Sequence, residues 1–321
     1  MTTEPDPICC TPRQLPDDLL CPAADEACRI NPANRVGAGL ASAIIAGLTA
    51  LGGGAFEAAR ALAADDSDAA AELIAPQRIA LLTSKYWGAK GVDLSVSFLE
   101  RVSPTFANKC LEHLNLWNSR GANIRFRKTN GVGDVRIAFG NSGYWSYLGT
   151  DIRMIGRDEP TMNLQEFAVN TPDREWMRVV PHECGHTLGC PHEHMRSDLV
   201  KLLDRQRTIE YFRRTQGWSA SEVQQQVLTP LNERSLMATP VEQTSIMCYQ
   251  IPGECTVNRR PITGGSTITD NDFAFMAKVY PGGSAPQPPV NPPSGGRRVV
   301  LSNGVTISLP DGVTARVEGG A

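Results

Sequence analysis

Four of the five histidines in this 321-residue chain fall within HECGHTLGCPHEH, residues 182–194. On a helix, residues four apart share a face and stand about 6 Å apart along the axis, so His182 and His186 can grip one divalent ion. Glu183, one position on from the first histidine, reaches a water on that ion without ligating it, the arrangement of a zinc hydrolase. Gly189 permits the positive backbone angles that turn the chain sharply after a helix, and the turn can return His192 as a third ligand. Three neutral imidazoles and one open corner describe a catalytic site for a single Zn2+, whereas a structural site would be closed by a fourth protein ligand. The HExxH pattern alone arises by composition in about one chain in 25 of this length; adding Gly189 and His192 lowers that to about one in 10,000.

The neighbouring reactive groups fit other readings. Cys184 is two residues from both His182 and His186, and helical neighbours two apart point away from one another. A cysteine–histidine nucleophile therefore fails, and the thiol is expected to face the core. His194, close behind the third histidine, cannot share the ion and is expected at the surface. His113 has no histidine partner at helical spacing and is expected at a surface or boundary. Nine cysteines, at 9, 10, 21, 28, 110, 184, 190, 248 and 255, are many for a reducing compartment. Their odd number leaves at least one thiol outside any intramolecular disulfide. The four before residue 30 lack the CxxC spacing of a zinc module and are read as disulfides or idle thiols.

The elements that must position these residues follow from periodicity. VDLSVSFL, with Val92, Leu94, Val96 and Phe98 alternating, has the period of a half-buried strand, and NIRFRKT and DVRIAFG repeat it. Between the first two, SPTFANKCLEHLNLWN predicts a helix capped by Ser103, with Pro104 first and Phe106, Cys110, Leu111, Leu114 and Trp117 on one face. TMNLQEF reads as a fourth strand. TPDREWMRVVPHECGHTLG reads as the helix that carries the histidines, with Thr171 as cap and Pro172 in the first turn; Pro181 should kink it or move its start downstream. LVKLLDRQRTIEYFRRTQGW, SASEVQQQVLTPL and TDNDFAFMAKVYP are helical by pattern.

At SIMCYQ, residues 245–250, the chain resembles the metzincin metallopeptidases, with their extended HExxHxxGxxH motif and downstream methionine turn. It is most similar to the astacin-like members, whose motif continues with Glu, Arg and Asp, here Glu193, Arg196 and Asp198. Their turn reads S-I/V-M-x-Y, here Ser245, Met247 and Tyr249. The resemblance covers roughly residues 80 to 282. It implies an α+β fold with a small twisted mixed sheet, two long helices and an irregular C-terminal subdomain. It further implies a zinc endopeptidase acting on protein or peptide substrates, with His182, His186 and His192 on the metal and Glu183 as general base and acid. Met247 would lie beneath the metal, a role that coincides with that of an ordinary core methionine. Tyr249 would be a switchable extra ligand and a second donor to the oxyanion. In the family the acid at Glu193 meets the buried amino terminus of the mature enzyme; an ordinary ion pair is the alternative. No counterpart of the family's zinc-blocking aspartate is visible in the leader. A catalytically silent zinc module, binding or inhibitory, is the competing reading, and the intact Glu183 argues against it.

Composition bounds the rest. The formal charge of −3, from 31 basic and 34 acidic residues, gives no field that would recruit nucleic acid or an anionic membrane. MTTEPDPICC lacks the basic flank and apolar stretch of a secretory signal. The apolar run at 40–51 is too short to span a bilayer and reads as a helix of small residues packed on the main body, in preference to an export signal. Four zones are expected: a leader over 1–78, extended to about residue 39 and helical from 40 to 75; a catalytic domain over 79–282; a Pro/Gly linker over 283–296; and a tail over 297–321 folded as a hairpin around Asn303-Gly304. A lone hairpin is marginal in water and should dock on the main domain or a partner. The resemblance and the cysteine count lean towards a secreted or extracytoplasmic location. Substrate preference and oligomeric state are not legible.

Overall fold

Alternating apolar residues build the sheet. In the computed structural model, which describes residues 10–11, 13–34, 85–231, 241–282, 297–300 and 306–309, strand β1 (Val92–Phe98) buries Val92, Leu94 and Val96 on one face. It is flanked in parallel by β2 (Ile124–Lys128) and β3 (Val135–Ala138). Strand β5 (Met162–Leu164) adds in parallel to β3, and β4 (Tyr144–Ser146) runs antiparallel to β5. The order β2-β1-β3-β5-β4 leaves β4 at one edge. The chain is thus α+β with a five-stranded mixed sheet.

A parallel pair needs a crossover, and helix α2 (Pro104–Leu114) supplies the one between β1 and β2. Ser103 caps it by accepting from Phe106 N at 3.1 Å, with Pro104 at its first position, as the sequence predicts. Phe106, Cys110 and Leu114 turn inward and meet helix α3 (Asp173–Thr187), whose Trp176, Val179, Val180 and Cys184 are all buried. Two details of α3 differ from expectation. Pro172, not Thr171, occupies the cap position, and the Thr171 hydroxyl instead accepts from Ala168 N. The helix also runs unbroken through Pro181. The carbonyl that Pro181 leaves without a donor belongs to Met177, on the exposed side of the helix, where water can solvate it.

The second half is built from short pieces: α4 (Ser197–Val200), α5 (Arg205–Gln216), α6 (Ala220–Val223) with a π turn over Gln224–Leu228, and α7 (Asp270–Val279). Asp204 caps α5 and Gly217, at φ 71°, ends it. Among the described residues, two large apolar clusters frame the site. One lies between the sheet, α2 and α3 and includes Trp117, Ile137, Trp176, Ile246 and Met247. The other gathers Leu203, Phe212, Val223, Ile251 and Ile262, with Cys248 and Tyr249. The segment 246–249 therefore stitches the two together, and the site lies where they meet.

The leader departs from expectation. An extended segment is predicted up to residue 39, yet Leu20–Ile30 form helix α1. Its buried face consists of Ala23 and Ala27, too small to write a visible apolar stripe, and Pro22 falls in its first turn, where proline is tolerated. The helices expected over 40–75 lie outside the described residues. No two of the eight described cysteines are bridged, so among the described residues the disulfide reading is overturned, and the cysteine count loses its weight as an argument about compartment. No described helix is long and apolar enough to cross a membrane. The chain divides into two compact units, Met1–Gly282 and Gly283–Ala321. In the second, β6 (Arg297–Val300) and β7 (Thr306–Leu309) pair antiparallel, Val300 opposite Thr306, as a hairpin.

Candidate metal centre

The last turns of α3 carry His182, Glu183 and His186, and the end of this helix is tied down on several sides. Trp117 Nε1 donates to Pro181 O at 2.9 Å and Trp87 Nε1 to Thr187 O at 2.9 Å. Tyr280 OH donates to Leu188 O at 2.6 Å, and the Ser146 and Thr187 hydroxyls meet at 3.0 Å. Gly189, at φ 97°, then turns the chain, with Cys190 N donating to Gly185 O at 2.8 Å. The turn brings His192 back against the helix.

The three imidazoles converge. His182 Nδ1 lies 2.6 Å from Ile246 O, and His186 Nδ1 2.7 Å from Cys190 O. Carbonyls only accept, so both Nδ1 atoms carry hydrogen and both Nε2 atoms present lone pairs. His192 Nε2 lies 3.2 Å from each of those Nε2 atoms and can donate to only one of them. A cation between the three removes the repulsion. A tetrahedron with metal–nitrogen bonds of about 2.0–2.1 Å has edges of about 3.3–3.4 Å, close to the spacing found. Burial depresses all three basicities, His182 to about 4 and His186 and His192 well below the usual imidazole range, and at the latter two the neighbouring imidazoles add to the effect. They are therefore neutral at pH 7, the form a metal requires.

A fourth donor completes the cluster. Cys10 Sγ lies 3.3 Å from His186 Nε2 and 3.3 Å from Glu183 Oε2, and the ligand atoms of Cys10, His182, His186 and His192 all fall within 4.8 Å of one another. This corrects the reading of Cys10 as a disulfide partner or idle thiol, and it fills the corner expected to stand open. No local spacing announces it, because Cys10 comes from the leader, 173 residues before Glu183. Glu183 itself is buried, which pushes its carboxyl up to about 8, while the Cys10 thiol and Arg178 pull the other way.

The 245–250 segment supports the site from below. Besides receiving His182, it offers Met247 O to Glu193 N at 2.8 Å. Met247 packs its sulfur against the backbone of Gly185, where a β-carbon would collide with it. Asp272, unremarked in the sequence reading, fixes this segment: it accepts from Ser245 Oγ at 2.7 Å and Ile246 N at 3.0 Å while closing the α7 capping box with Thr269. The capping pattern is visible in the sequence; its reach to residue 245 is not. Tyr249 is packed between two rings, 4.2 Å from His192 and 4.1 Å from His194. Glu193 pairs with Arg196 at 3.3 Å and accepts from Glu242 N, in keeping with the ion-pair reading.

Two histidines sit deeper than predicted. His194 is fully buried, its Nε2 3.0 Å from Gln226 O, because the π turn at 224–228 folds over it. His113 is buried at the boundary, its Nδ1 2.7 Å from Lys109 O. Cys184 faces the core as expected, with its thiol on Leu114 O at 3.4 Å. Beside Glu183 opens a cavity of about 270 Å³ whose wall includes Tyr144, Arg178, Ile246, Tyr249 and the 263–266 loop.

No family model matches the sequence, and no curated protein does. Among solved structures, one of myroilysin is 30% identical over 62% of this chain and 96% of its own, with a TM-score of 0.58. The chain belongs to the astacin-like metzincins. A second myroilysin structure aligns at the same identity over 86% of its length, with a TM-score of 0.47. High choriolytic enzyme 1, a hatching enzyme zinc-protease from the medaka Oryzias latipes, aligns at 19% identity over 95% of its length, with a TM-score of 0.40. For an astacin-like metzincin the expected metal is zinc, and the three imidazoles, two of them with Nδ1 pinned on a carbonyl, suit it.

Proposed function

We propose that the chain is a zinc endopeptidase in which His182, His186 and His192 hold the ion and residues 79–282 form the catalytic domain. The observation that carries this reading is the convergence of three imidazole Nε2 atoms beside the buried Glu183 carboxyl, at the rim of a cavity. Zinc, when bound, lowers the pKa of a bound water to about 7 and polarises a carbonyl. Glu183 takes the proton of the attacking water and returns it to the leaving amine, as general base and then general acid. Tyr249 donates to the oxyanion as it develops. Gly189 and Met247 support the ligands rather than touch substrate: the first turns the chain towards His192, and the second fills the space beneath the helix. Glu193 fixes the turn between the third histidine and Met247.

The competing reading, a silent zinc module, predicts a different outcome for one variant. In chain freed of residues 1–78, Glu183→Ala should keep about one zinc per chain by metal analysis while turnover of a quenched peptide library falls by about 10²–10⁴. Equal turnover with and without Glu183 would leave the peptidase reading without support.

A further inference from the structure

We propose that a second cavity, beyond the carboxyl ends of β1 and β3 and beside edge strand β4, is a subsite for a basic side chain of the peptide substrate, recognised by Trp145, Glu100 and Glu159. This rests on the zinc-peptidase reading above and adds a substrate class to it.

The cavity has a volume of about 330 Å³, and its wall includes Trp145 from β4, Asn163 from β5, Glu100 from just after β1 and Glu159 from just before β5. Trp145 and Asn163 stand opposite one another in the β4–β5 register and are 5% and 1% exposed. Trp145 Nε1 donates to Ser142 Oγ at 3.0 Å, which fixes the ring and leaves its π face as what it offers a ligand. Asn163 spends both amide hydrogens, on Gly140 O at 2.9 Å and Gly143 O at 2.6 Å, so what it brings to the cavity is an acceptor oxygen. Glu100 and Glu159 are exposed, and Arg13 is the one cation in the wall. An aromatic face beside carboxylates and a carbonyl-type oxygen suits a guanidinium or an ammonium. Among the described residues the only group of three or more donors close enough to hold a metal is the one that includes His182, His186 and His192, so these carboxylates do not form a second metal centre.

Arg13 shows the fit. Its guanidinium carbon lies 4.3 Å from the centre of the Trp145 ring, and its backbone is laid against β4, with Thr11 N donating to Tyr144 O at 3.2 Å and Arg13 N to Ser146 O at 3.1 Å. An edge strand is where an extended peptide adds to a sheet. Arg13 comes three residues after Cys10, whose sulfur lies 3.3 Å from His186 Nε2, and three extended residues reach about 10 Å. A substrate laid along β4 from the metal centre therefore places a side chain over Trp145 about three residues from the bond that is cut, whichever way its backbone runs. Arginine or lysine at that position is what the wall selects.

The test uses the full zinc-loaded chain carrying Cys10→Ala and Arg13→Ala together, which clears the metal corner and the cavity. N-acetyl-arginine amide should move the Trp145 indole N–H resonance saturably, assigned by its loss in Trp145→Phe, and N-acetyl-citrulline amide, of the same shape without the charge, should bind roughly 10-fold more weakly. Glu100→Gln and Glu159→Gln should each weaken the arginine amide roughly 2–5-fold. In a series of quenched peptides with arginine moved one position at a time, kcat/KM should peak with arginine about three residues from the cut bond and fall roughly 10-fold when citrulline replaces it there. Equal binding of the two amides, or a Trp145 resonance that does not move, overturns the subsite and leaves the peptidase reading intact. So does a peptide series that is cut equally well throughout. A series in which no peptide is cut removes the peptidase reading, and the subsite's role with it, whatever Trp145 reports.

Discussion

Gly185 stands between two histidines of the motif, and its lack of a side chain is what lets Met247 approach. A β-carbon there would press into the Met247 sulfur and lie 3.5 Å from the Trp117 indole. Ala in place of Gly gains about 1 kcal/mol of helix propensity, whereas overpacking a filled core costs about 1–3 kcal/mol. Gly185→Ala should therefore lower the thermal midpoint, and the same change in a Met247→Ala background should not. A cost that is equal in both backgrounds would show that Met247 is not what the glycine accommodates. At this scale the site's inner residues were legible because helical spacing places His182, Glu183 and His186 with no help from the rest of the fold. Cys10 and Asp272 were not, because each reaches the site from a distant part of the chain and no local pattern encodes the meeting.

Strands and helices with a clear period were equally legible: β1, β2, β3, α2 and α7 stand where alternation or an apolar stripe placed them. Strand β4 escaped because its three residues belong to no longer alternating run, and α1 because its buried face is alanine. Both matter, since one forms the edge beside the metal centre and the other belongs to the leader that covers it. A further element-level bond comes from Arg136 in β3. It is 5% exposed, and its guanidinium donates to Glu159 O, Gly133 O, Asp134 O and Ile155 O, pinning the connection between β4 and β5. Lysine cannot serve four carbonyls that diverge in this way. Arg136→Lys should cost about 2–3 kcal/mol in urea unfolding, with faster amide exchange over residues 155–161; an unchanged midpoint would mean that the loop holds itself.

For the whole molecule, the candidate metal centre is where four parts of the chain meet: the leader, the end of α3, the turn at 192 and the segment linking the two apolar clusters. A ligand that binds only the folded state adds stability in proportion to the logarithm of its concentration over its Kd. Stripping the metal with a chelator should therefore lower the calorimetric midpoint. An unchanged midpoint would count against a metal bound to the folded chain. The family and its α+β architecture were legible at this scale from one motif and one turn, while the division at Gly282 follows the Pro/Gly-rich sequence that starts there. The thiols carry a practical corollary. Since no two of the eight described cysteines are bridged, renaturation in dithiothreitol should recover the native state without an oxidative shuffling step, and the hazard to a preparation is air rather than reductant.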